Sequence, residues 1–147
     1  MDEIKVSIQN APKKVSDLIQ GLSAEAIQAV KDCIAENAKA MAEEIPDSMR
    51  AAGLHDYKGH KHHLSQSYTA DLIEETPTNI TYKVWASKHK KQAIVHFVEN
   101  GHRISSKKKT GYVKGRAYLY PLNQKYQEKM YGNDGEIMKK ISEYSKK

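Results

Sequence analysis

The chain has 147 residues, 39 % hydrophobic and 29 % charged, with a formal net charge of +6 at pH 7; that length suits one modest core, so residues 1–147 are expected to form a single domain. A lone cysteine, Cys33, excludes an internal disulfide and a cysteine-built zinc cage, and no apolar run approaches the roughly 18 residues of a membrane span. The first residues lack the basic-then-apolar order of a signal peptide, which points to a reducing cytoplasmic setting, while the positive charge alone speaks to solubility and non-specific attraction.

From Pro12 to Ile45 the apolar residues recur three or four apart, first Val15, Leu18, Ile19 and Leu22, then Ala26, Val30, Cys33, Ile34, Met41 and Ile45. Gly21, then Ser23 and Glu25, marks a break and a fresh N-cap, so a short helix followed by a long one is expected. Pro46 is expected to stop the second helix at the preceding residue. From Asp47 to His63 no period survives among two glycines, four histidines and scattered charge, which predicts a long loop.

Leu64, Tyr68, Ala70 and Leu72 then alternate with polar residues, the period of a half-buried strand. After a Thr76-Pro77-Thr78-Asn79 turn, Ile80, Tyr82, Val84 and Ala86 share one face of a second, antiparallel strand. Lys88 to Lys91 form a basic turn, and the spacing of Ile94, Phe97 and Val98 predicts a short helix over 91–100 closed by Gly101. Residues 103–113 are expected to be a basic loop, with Tyr112 to Tyr120 as a further strand. Pro121 opens a terminal helical region with Leu122, Tyr126 and Met130 on one stripe, interrupted at 132–135 and resumed by Ile137, Ile141 and Tyr144. The fold class expected is α+β: a long helix packed on a small, mainly antiparallel sheet, with a short helix and a C-terminal helical region after it.

Few residues invite chemistry. His55, His60, His62 and His63 lie in a loop beside Lys58 and Lys61, without carboxylate or thiolate at helical spacing, which does not make a metal site. Cys33 falls on the apolar stripe, where a thiol is packing rather than nucleophile. His96 and Glu99 stand three apart and can touch on a helix, yet an acid–base pair also needs a pocket. No strand leads into a phosphate-cradling glycine loop. The lysines at 88–91 and 107–109, with Arg103, Arg116 and nearby tyrosines, are the best argument for nucleic acid. On the residues alone, no catalytic, cofactor or metal site is expected and the chain is not read as an enzyme. A basic nucleic-acid-binding module or a small RNA-cleaving toxin remain the alternatives.

The segment Ala93 to His102, Ala-Ile-Val-His-Phe-Val-Glu-Asn-Gly-His, resembles the R-L-T-H-L-L-E-F-G-H signature of the phage tail-component family that includes head-tail joining proteins, matching at His96, Glu99, Gly101 and His102. Gly115 to Pro121 resembles that family's following G-R-P-H-I-x-P-A segment, matching at Gly115, Arg116 and Pro121. The resemblance implies a structural virion protein made in the bacterial host cytoplasm and placed at the head–tail junction. It would form a ring with itself, usually a hexamer, between the portal and adaptor proteins of the capsid and the tail terminator or tail tube, with non-specific contact to passing genomic DNA. Phe97 and Val98 would then anchor the short helix to the sheet, Gly101 would supply a left-handed closing turn, and Glu99 would pair with Arg116 or a lysine. The loops at 47–63 and 103–113 are expected to order against neighbouring subunits.

Overall fold

The structure, a computed structural model, describes residues 3–54, 63–89, 91, 95, 98–99, 101–106 and 109–145, with the backbone alone described at 101–106, 109–113 and 145. Its architecture is α+β. In chain order the elements are β1 (Ile4–Ser7), α1 (Lys13–Gln20), α2 (Ala24–Ala51), a 3-10 turn (Leu64–Gln66), β2 (Tyr68–Thr76), β3 (Asn79–Ala86), β4 (Gly101–Ser106), β5 (Lys109–Lys114), α3 (Leu119–Tyr131) and α4 (Glu136–Ser145).

The long helix α2 is the spine. Ser23 caps it by accepting from the Ala26 amide at 3.2 Å, and Glu25 in the first turn complements the positive end of the helix dipole. Its 28 residues span about 42 Å, and Ala26, Val30, Ile34, Ala38, Met41, Ile45 and Met49 bury one continuous stripe. The sheet covers part of that stripe in the order β1-β3-β2, both pairings antiparallel. Ile4 faces Val84 on one side of β3, and Ala70 faces Val84 on the other. Ile80, Val84 and Ala86 turn inward as their alternation predicts. Leu119, Leu122, Tyr126 and Met130 of α3 and Ile137 and Ile141 of α4 complete the same core.

Several expectations yield to the structure. Pro46 lies inside α2 rather than after it. A proline there lacks the amide that would reach the Ala42 carbonyl, but Ile45 and Met49 continue the buried stripe across it, and packing outweighs one missing hydrogen bond. The helix ends instead at Gly53, whose φ of +81° supplies the left-handed turn. The Gly53 amide donates to the Arg50 carbonyl and the Leu54 amide to the Met49 carbonyl, each at 2.9 Å, the paired closure of a Schellman motif. Residues 47–51 are therefore helix, not loop, and 55–62 lie outside the described residues.

β1 is a strand not expected from the sequence. Leu64 starts a 3-10 turn rather than a strand, and Leu18 is 43 % exposed while its neighbours Val15 and Ile19 are buried. The expected basic loop is a hairpin, with β4 and β5 paired from Gly101 opposite Lys114 to Ser106 opposite Lys109. Lysine and serine conceal these strand residues, because they lack the alternating apolar pattern that marks a strand in sequence. Gly101 thus opens a strand instead of closing a helix, and the strand expected over Tyr112 to Tyr120 stops at Lys114 before α3 begins. Val95, Val98 and Glu99 are helical, as expected for that segment.

Candidate functional site

The two motif segments, 93–102 and 115–121, meet at the first turn of α3. The N-cap position of that helix, Tyr118, offers no capping side chain of its own. Glu99 does the capping from nineteen residues upstream. Its Oε2 accepts from the amides of Tyr118 at 2.9 Å and Leu119 at 3.3 Å, and its Oε1 accepts from the amide of Tyr120 at 3.3 Å. The next residue is Pro121, which has no amide to satisfy. All four positions that open a helix without an internal partner are thereby settled, three by one carboxylate and one by a proline. The negative charge also sits at the positive end of the helix dipole.

Further contacts bind this junction to the rest of the fold. The Arg116 amide donates to the Val98 carbonyl at 2.9 Å, tying the two motif segments through their backbones. The Arg116 guanidinium donates to the Gly53 carbonyl at 2.8 Å, placing a cation on the C-terminal end of α2. A Cβ on Gly53 would stand 2.6 Å from that guanidinium nitrogen, so glycine is required there by contact as well as by φ. Ser48 Oγ donates to the Tyr118 carbonyl at 2.6 Å. The Tyr118 and Tyr68 hydroxyls lie 2.5 Å apart, with the rings edge to face at 6.2 Å. The end of α2, the start of β2 and the start of α3 are thus held at one point.

Glu99 is 6 % exposed. Its oxygens face amides, so among the described residues its pairing is with the α3 backbone rather than with the expected Arg116 guanidinium or a lysine, and the Arg116 guanidinium is engaged by the Gly53 carbonyl instead. Such a carboxylate is placed to hold a helix. His96 and Phe97 lie outside the described residues, Val98 is half-buried against the core, and Gly101 and His102 stand opposite Lys114 and Val113 in the hairpin. Gly115 is half-buried and Pro121 exposed in the first turn of α3. Ser48, Gly53, Tyr68 and Tyr118 belong to the same junction and were not singled out by sequence. A glycine just past an apolar helical stripe is the signal that points to Gly53.

A second polar cluster joins α2 to α4. Asn37 donates to Glu136 Oε2 at 2.9 Å, the Cys33 thiol lies 3.5 Å from the same oxygen, and Lys129 stands 3.5 Å from Oε1. The Asn37 hydrogen bond holds the Glu136 carboxyl below the usual range against a smaller cost of burial. Burial, reinforced by Glu136, pushes the Cys33 thiol up to about 12, which keeps it a thiol and unreactive. Among the described residues no group of three or more His, Cys, Asp or Glu side chains is arranged to hold a metal, and no helix is long and apolar enough to cross a membrane. An open depression lined by Glu3, Ile4, Lys5, Asn10, Asn123 and Gln127 brings together three amides, one carboxylate and one ammonium.

No family model matches the chain, and neither curated proteins nor solved structures offer a match.

Proposed function

We propose that the chain is a structural subunit of a long-tailed bacteriophage or prophage, joining the portal and adaptor proteins of the capsid to the tail. One observation supports this above the others: the two segments that resemble the tail-component family are parts of a single structural joint. Glu99 of the first caps the helix that the second opens, and Arg116 of the second bonds back to Val98 of the first. Residues so spaced hold elements together, which suits a subunit that presents fixed surfaces to its neighbours. In this reading the subunit assembles with itself into a ring, seated between adaptor on one face and tail terminator or tail tube on the other. Its basic residues lie near passing DNA without reading its sequence.

The test is genetic and visual. Cells producing the phage with this gene interrupted are expected to release DNA-filled heads and separate tails, and supplying the intact chain in trans is expected to restore joined particles in electron micrographs. Joined, infectious particles made without the chain would overturn the proposal. Degradation of cellular RNA on expressing the chain would point instead to the toxin alternative.

A further inference from the structure

β2 ends the three-stranded sheet, so among the described residues its outer edge carries no further strand. Open edges invite pairing unless they are guarded. Here the guard is incomplete: a register shift between Leu72 and Glu74 bends the strand but leaves Leu72 and Ile73 exposed, 50 % and 49 %. These two apolar side chains sit beside Asp71, Glu74 and Glu75, and the nine residues of β2 contain no lysine or arginine.

The β4–β5 hairpin is the opposite case. Its strands pair with each other and, among the described residues, with no strand of the larger sheet. Residues 101–114 carry Arg103, Lys107, Lys108, Lys109 and Lys114 and no carboxylate. One subunit therefore has an acidic strand edge with two exposed apolar residues in its middle and, elsewhere in the chain, a hairpin of basic sequence whose last residue, Lys114, is exposed.

We propose that the hairpin of one copy adds to the β2 edge of the next, head to tail. Main-chain hydrogen bonds supply the pairing, burial of Leu72 and Ile73 supplies apolar contact, and opposite charge fixes which surface meets which. Symmetric alternatives are disfavoured by the same charges, because two β2 edges would oppose carboxylates and two hairpins would oppose lysines. A contact between two different surfaces repeats around a closed ring or along a filament. The proposal rests on the self-assembly half of the reading above and not on its place in a virion.

Two variants of the full chain test it, Ile73→Lys with Glu74→Lys on β2, and Lys109→Glu with Lys114→Glu on β5. Far-UV circular dichroism checks that each is folded, and light scattering over a concentration series gives absolute mass. The wild type is expected to assemble, and each variant alone to stay monomeric at tenfold the concentration at which the wild type is half assembled. An equal mixture is expected to reach at least twice the monomer mass, because each variant keeps one intact surface and the two altered surfaces carry opposite charge. Salt raised from about 0.01 to about 0.1 M shortens the screening length from roughly 30 to 10 Å, and is expected to weaken wild-type assembly, a readout that holds even where a variant does not fold. A monomeric wild type, a variant that assembles normally, a mixture no heavier than its parts, or assembly indifferent to salt would each overturn the contact. So would a β5 variant that loses duplex DNA binding while still assembling. A wild type that assembles through this contact yet is dispensable for joined particles supports the contact and overturns the joining role.

Discussion

At the scale of single residues, Glu99 bears the most. Removing it leaves three amides at the start of α3 without an acceptor in a buried place, where a cap alone is worth about 0.5–2 kcal/mol and hydrogen bonds to a charged group about 1.5–3 kcal/mol. Glu99→Ala is therefore expected to lower stability by about 2–4 kcal/mol in denaturant titrations. Glu99→Gln keeps the volume but turns an NH2 donor toward an amide donor, and is expected to recover less than half of that loss. Full recovery by Gln would show that the cap needs only shape. This joint was half legible beforehand: the motif letters singled out Glu99, Arg116 and Pro121, but not their partners. Glu99 donates nothing to a sequence pattern that would reveal backbone amides nineteen to twenty-one residues away, and Arg116 meets Gly53 across 63 positions. Local spacing carries no information on contacts of that range.

At the scale of elements, α2 shows how packing overrides a local rule. Pro46 carries the signal that ends most helices, yet Ile45 and Met49 are buried on either side of it and the helix runs on to Gly53. Pro46→Ala restores an amide within reach of the Ala42 carbonyl. It is expected to raise stability by about 1–2 kcal/mol, less than the ~3 kcal/mol that separates proline from alanine in a helix interior, because the unfolded chain regains freedom. A lower denaturation midpoint for Pro46→Ala would mean that the proline itself contributes packing there. The amphipathic helices and the β2–β3 hairpin were legible because their periods repeat, three or four apart along the helices and alternating from Tyr68 to Leu72 and from Ile80 to Ala86. The β4–β5 hairpin was not, because its lysines and serines hide a strand made by cross-strand pairing. β1 is hard to read for a different reason: Ile4, Val6 and Ile8 do alternate, but three apolar residues next to a helix signal are a short message.

At the scale of the whole molecule, that short strand ties the ends of the chain together. β1 pairs with β3 some 75 residues later, the Gln9 amide donates to Asn79 Oδ1 at 3.0 Å, and the Tyr131 hydroxyl donates to the Ser7 carbonyl at 3.2 Å. Sheet and C-terminal helices are thereby coupled directly, through Ser7 of β1 and Tyr131 of α3, and the molecule is expected to unfold as one unit. Two probes report on the two parts. The single tryptophan, Trp85 on β3, donates to Asp71 at 2.7 Å and follows the sheet by fluorescence, while ellipticity near 222 nm follows the helices. Their denaturation curves are expected to coincide. Val6→Asp places an unpaired charge in a fully buried site, a change that costs several kcal/mol, comparable to the whole stability of a small domain. It is expected to abolish both signals together. Lys5→Asp, one residue away on the exposed face and opposite Lys83, exchanges a like-charge pair for an opposite one and is expected to shift stability by no more than about 0.5 kcal/mol. Equal effects of the two substitutions would place β1 outside the sheet. Loss of the tryptophan signal alone in Val6→Asp would separate the sheet from the helices and end the single-unit account.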